Sequence, residues 1–190
     1  MTDLDRLRDA LSRNETLVEL LRRARGFGLP GWYLTAGCVA QTVWNVLTGR
    51  EATYGIQDYD LFYHDSADLS REAEDRVIRS VAAACEDLPA DVEVRNEARV
   101  HLWYEAKFGT PCPPFASTEA AIDAFPAVCS CVGVRLARDG SWHFHAPHGL
   151  DDLFAMVVRP NPVLAPREVY ERNAARWSAG WPELTVLTSR

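Results

Sequence analysis

Basic charge, paired cysteines and long apolar runs are all scarce in this chain, and each scarcity excludes a class of protein. The 190 residues carry 20 Lys and Arg against 27 Asp and Glu, a net charge of -7. A surface built mainly for nucleic acid carries a basic excess, because phosphate neutralisation supplies much of its affinity. Only a local basic patch remains possible here. The five cysteines, Cys38, Cys85, Cys112, Cys129 and Cys131, are odd in number, irregularly spaced and without a CxxC pair. Neither a disulfide framework nor a zinc ribbon is expected from them. The N-terminal MTDLDRLRDALSR is charged and lacks the apolar stretch of a signal peptide, and no apolar run approaches membrane-spanning length. A soluble, cytosolic protein of a reducing compartment is the expectation. Internal repeats, low-complexity tracts and linkers are also missing, so one domain is the simplest organisation.

What is present is enough apolar material, 47% of residues, to build a core. Leu4, Leu7 and Leu11, then Leu17, Leu20 and Leu21, recur at helical spacing, with Asn14 placed to cap a second helix. WYLTAG (32–37) reads as a buried strand entering a glycine turn, and CVAQTVWNVLTGR (38–50) as the helix after it. IQDYDLFYH (56–64) is the next strand. A helix capped by Ser70 follows, with Val77, Val81 and Ala84 on one face. DVEVRNEARVHLWYEAKFG (91–109) opens with strand alternation, and a turn near Asn96 is expected before another strand. A short helix from Ser117, a hairpin turning at RDGS (138–141), and closing helices in GLDDLFAMVVRPNP and APREVYERNAARWSAGW complete the chain. The reading is an α+β fold, a mixed or mostly antiparallel sheet flanked by helices. Its parts are N-terminal helices (1–30), a central core (31–105), and a C-terminal hairpin with helices (106–190).

Asp58 and Asp60 stand one residue apart in the second strand. Residues i and i+2 of a strand share a face, so the two carboxylates repel unless a cation lies between them. Magnesium answers that need, since it takes a few carboxylate oxygens and leaves positions for water and phosphate. Two such ions, about 4 Å apart, can bracket a phosphoryl transfer, and this calls for a third carboxylate on a neighbouring strand. ADVEVRN offers Glu93, flanked by valines, with Asp91 as its substitute. A solvated strand edge is the plain alternative for the aspartate pair. Gly37, ahead of a helix, lets backbone approach a ligand and presents N–H groups to phosphate; a tight turn needing positive φ is its plain alternative.

Taken together, AGCVAQTVWN, IQDYDLFYHD and VEVRNEARVHLW resemble the nucleotidyltransferase superfamily that includes DNA polymerase beta and the CCA-adding enzymes. The chain is more closely similar to a group of small bacterial nucleotidyltransferase family proteins, once a domain of unknown function. Blocks such as RNEARVHLWYEAKFG, GLDDLFAMVVRPN and WPEL carry that similarity from about Trp32 to Leu184. The resemblance implies a polymerase-beta-like fold, like the head domain of CCA-adding enzymes. It implies that Asp58, Asp60 and Glu93 bind two magnesium ions, and that Gly37 and Cys38 hold the triphosphate of a nucleoside triphosphate. An acceptor hydroxyl would attack the α-phosphorus and expel pyrophosphate. Cys38 departs from the superfamily's Ser or Gly, and a thiol is a poor donor. The acidic balance favours a small molecule or protein acceptor over nucleic acid.

Asn96 and Arg99 are further nucleotide-binding candidates, Arg99 through a bidentate phosphate contact and Asn96 by positioning a base; ion pairing and a turn are their alternatives. His143, His145 and His148 look like a zinc cluster, but no fourth ligand is specified, and an exposed hairpin strand with polar residues is the default reading. A binding module that keeps the fold without turnover is the competing reading. A dehalogenase-like phosphatase fits poorly, since LFYHD follows the second aspartate where that motif needs Thr or Val.

Overall fold

The computed structural model describes residues 1–188. Two amphipathic helices open the chain, α1 (Asp3–Leu11) and α2 (Glu15–Ala24). Thr2 and Asp5 form a capping box on α1, and the Asn14 side chain accepts the Leu17 N–H to start α2. Asn14 is fully buried, and its amide also donates to the Thr42 hydroxyl at 2.9 Å, tying the N-terminal helices to the core.

The leucines of these helices pack under a five-stranded mixed sheet of order β3-β2-β1-β4-β5. Its strands are β1 (Tyr33–Thr35), β2 (Tyr59–Tyr63), β3 (Val92–Asn96), β4 (Gly133–Leu136) and β5 (Trp142–His145). β2 and β3 run parallel, joined by helix α4 (Arg71–Ala84); the other pairings are antiparallel. The fold class read from the sequence is the one found, and the β4–β5 hairpin turns at RDGS as expected. Strand alternation sorts the two faces. Tyr59, Leu61 and Tyr63 join Leu34 and Val94 in the main core, while Asp60 and Phe62 face the other way beside Glu93 and Arg95.

Helix α3 (Gly37–Leu47) follows β1 and is buried on most sides. Helices α5 (Tyr104–Phe108) and α6 (Thr118–Ile122), then α7 (Asp151–Phe154) and α8 (Arg167–Gly180), cover the site face and the C-terminal side. The core draws residues from all three expected parts of the chain.

Two elements differ from expectation. After Asn96 there is no second strand: Glu97–Leu102 forms a 3₁₀ turn leading into α5. The Asn96 side chain accepts the Ala98 N–H, and that cap starts a helical turn where an extended chain was expected. GLDDLFAMVVRPNP yields only the four-residue α7, after which Met156 at φ 55 turns the chain into β6 (Val157–Val158). β6 pairs in parallel with β7 (Thr185–Val186).

Candidate active site

Asp60 lies opposite Glu93 in the parallel β2–β3 register, so both carboxylates rise from adjacent strands on one face. Asp58 precedes β2 in the connecting loop and lines the same cavity of about 290 Å³, as does Gly37. The expected trio therefore lines one cavity. Asp91 does not: it is exposed ahead of β3, and its carbonyl accepts the Tyr59 N–H at 2.8 Å.

The turn into α3 is built differently from expectation. Ala36, not Gly37, carries the positive φ, at 58° with ψ -131°. Such a backbone costs about 1–3 kcal/mol for a residue with a Cβ and persists where surrounding packing fixes it. Gly37 has a different requirement: an added Cβ would lie 2.9 Å from the Gln41 amide nitrogen. The Gly37 backbone at the start of α3 weakly favours the ionised Asp60 carboxylate, which lines the same cavity. Burial pushes the Asp60 carboxyl up to about 7, with the charge of Asp58 adding to the effect and Arg95 and Arg176 opposing it.

Three side chains nominated for nucleotide contact point elsewhere. The Cys38 thiol is wholly buried beneath the turn and donates to the Thr35 carbonyl at 3.1 Å; burial raises its pKa well above the ordinary thiol value. Asn96 is buried, bonding the backbone N–H and carbonyl of Asp65 at 2.9 and 2.8 Å. Arg99 pairs with Glu74 and donates to the Leu69 carbonyl at 2.9 Å, fastening the 3₁₀ turn to the start of α4. The pairing and turn alternatives describe Asn96 and Arg99. The three histidines are also separate: His145 meets Asp123 at 2.6 Å, while His143 and His148 are exposed.

A family model described as nucleotidyltransferase matches residues 22–186. The chain belongs to the nucleotidyltransferase family. Its fold is similar to a solved NMR structure described as revealing a CCA-adding enzyme head domain, with a TM-score of 0.75 and 24% identity over 92% of this chain and 91% of that one. A looser likeness joins it to a tRNA-processing enzyme in an apo form: TM-score 0.47, 16% identity, 87% of this chain and 41% of the other. Comparison with curated proteins gives no match.

In this nucleotidyltransferase the cavity also holds residues that the strand motif did not reveal. Arg95, two residues beyond Glu93 and on the same strand face, forms an ion pair with Glu93, and its guanidinium lies against the rings of Phe62 and Trp103. Alternation alone places it there. Arg176 on α8 lines both the cavity and an adjoining groove with Gln41, Gln57 and Asp58, and it donates to Gln57 at 3.0 Å. No local signal marks it, since α8 reaches the site only through tertiary packing. Phe62, on the same strand face as Asp60, joins Trp103, Tyr104, Phe108 and Phe125 in giving the cavity an apolar aromatic lining.

The all-oxygen donor set of Asp58, Asp60 and Glu93 fits a hard divalent cation in its chemistry, and a cation would relieve the repulsion that raises Asp60. Among the described residues no three His, Cys, Asp or Glu side chains gather closely enough to hold an ion, and Glu93 is paired with Arg95. Also among the described residues, no helix is long and apolar enough to cross a membrane.

Proposed function

We propose that this nucleotidyltransferase is magnesium-dependent and moves a nucleoside monophosphate from a nucleoside triphosphate to the hydroxyl of a small molecule or a protein side chain. What supports this reading is the register of Asp60 beside Glu93, with Asp58 and the start of α3 lining the same cavity. Magnesium would be held by Asp58, Asp60 and Glu93, and when bound would supply positive charge for the phosphates and the attacking oxygen.

The chain's own residues carry the remaining work. Arg176, at the junction of cavity and groove, is the guanidinium that meets the triphosphate. Arg95 becomes a second phosphate contact once it leaves Glu93. The acceptor oxygen forms a bond to the α-phosphorus as the bridging bond to the β-phosphate breaks; pyrophosphate leaves, and the hydroxyl proton passes to the carboxylate wall. The aromatic side of the cavity keeps bulk water from competing as acceptor.

The Glu93–Arg95 pair favours one second reading, a binding module in which Arg95 permanently occupies the third ligand. Pyrophosphate release with magnesium, over a panel of triphosphates and acceptors, separates the two. Release by wild type that is lost in Glu93→Gln supports transfer. Tight triphosphate binding without release from any acceptor, unaffected by Glu93→Gln, supports the module.

A further inference from the structure

Glu97 is only 3% exposed, and its Oε1 has no hydrogen-bond partner. It follows β3 at the start of the 3₁₀ turn and lines the cavity beyond Glu93. Leaving a buried carboxyl oxygen unpartnered costs about 1–3 kcal/mol, more if charged, and the apolar rings around it return none of this. Gln or Leu would avoid the charge. Nothing in the metal site or the triphosphate contacts uses this group.

Its surroundings state what would satisfy it. Trp103, Tyr104, Phe108, Phe62 and Phe125 share the cavity with it. Their faces already attract cations from the chain itself: the Arg95 guanidinium stands 5.1 Å from the Trp103 centroid and 5.5 Å from that of Phe62. The Lys107 ammonium lies 5.2 Å from the Phe108 centroid. A carboxylate among aromatic faces binds an organic cation, the ring quadrupoles and the counter-charge acting together. Burial pushes the Glu97 carboxyl up to about 8, and a cation seated against it would favour its ionised form.

We propose that Glu97 and this aromatic wall are the acceptor subsite, and that the acceptor is a small molecule carrying a protonated amine as well as the hydroxyl that receives the nucleotide. The amine hydrogen-bonds Glu97, its carbon frame lies on Trp103 and Phe108, and its hydroxyl extends toward the carboxylate wall. The assignment of this subsite to an acceptor rests on the transfer reading above; the affinity for an amine does not.

The test titrates benzylamine and benzyl alcohol, matched in size and differing in charge, into the full chain by NMR. Wild type is expected to prefer the amine about tenfold, the scale of one hydrogen bond to a charged group. Glu97→Gln removes that preference. Trp103→Leu, at a partly exposed position, weakens the amine a few-fold through loss of the cation–π contact. Equal affinity of wild type for the two probes overturns the proposal. So does a Glu97→Gln effect confined to discrimination among the four nucleoside triphosphates, which would make Glu97 a base reader. Magnesium-dependent triphosphate binding, measured on the same samples, keeps the two readings distinguishable. Triphosphate binding without amine preference sinks the subsite alone; amine preference without triphosphate binding sinks the transfer reading alone.

Discussion

Asp60→Asn is expected to melt at a higher temperature than wild type in metal-free buffer at pH 8, and to transfer nucleotide about a thousandfold more slowly. Both effects follow from one carboxyl. Its pKa rises from an ordinary 3.8 to about 7 in the fold, through burial and then through Asp58. Between those pH values the unfolded chain is ionised while the fold favours the proton, so the stabilising contribution is complete below about pH 4 and is lost as pH rises through about 7. Asparagine carries no charge at any pH and is close to aspartate in size. The gain above pH 7 should be about 1–3 kcal/mol after discounting for water in the cavity. Added magnesium should then reverse the order by stabilising wild type and leaving the variant unmoved. Thermal melts at pH 5 and pH 8, with and without the metal, check each part. Equal melting temperatures at pH 8 without metal would remove the claim that burial, and Asp58 beside it, make the ionised Asp60 costly to the fold.

Trp44→Ala should produce the largest loss of stability, about 3–5 kcal/mol, out of the 5–15 kcal/mol typical of a domain. Trp44 is fully buried on α3 and meets Trp177 and Trp181 edge-on, with ring centroids 5.6 and 5.7 Å away. Those two tryptophans seat α8 and the turn after it against α3. Trp181 also donates its indole N–H to Asn45 at 2.8 Å and stands over Gly55, where an added Cβ would lie 2.7 Å from the ring. Truncating Trp44 removes the central ring and loosens the helix that carries Arg176, so affinity for triphosphate should fall as well. Trp44→Phe should cost far less, because the Trp44 indole N–H has no hydrogen-bond partner to lose. Urea denaturation of both variants, with triphosphate binding measured below the transition, gives the ordering. A Phe variant as unstable as the Ala variant would contradict the packing account.

The sequence carried the strands of the site because their signal is local. Alternation in YDLFY and VEVRN decides which side chains reach the cavity face, and it brings Asp60 beside Glu93 without any longer-range knowledge. The same rule would have put Arg95 in the cavity had it been extended two residues. Asn96 and Arg99 were less legible, since a side chain at a strand end can cap, pair or bind ligand, and only the partner decides; here Asp65 and Glu74 are those partners. Phe62 follows from the same alternation as Asp60, but Arg176 and the other rings, Trp103, Tyr104, Phe108 and Phe125, lie outside the site strands and had no signal of their own. Ala36 illustrates a different limit. Glycine is the residue expected at positive φ, yet the turn places the strain one position earlier and uses Gly37 for clearance from Gln41.

The central claim is that Asp58, Asp60 and Glu93 together hold divalent metal against a triphosphate. Manganese titration followed by electron paramagnetic resonance, with a triphosphate analogue that cannot be cleaved between the α- and β-phosphates, measures it directly. Wild type should bind two manganese ions per chain, close enough to show mutual magnetic coupling, and Asp58→Asn, Asp60→Asn and Glu93→Gln should each lose that coupled pair. Uncoupled or absent manganese in wild type, or coupling that survives all three substitutions, would contradict the account.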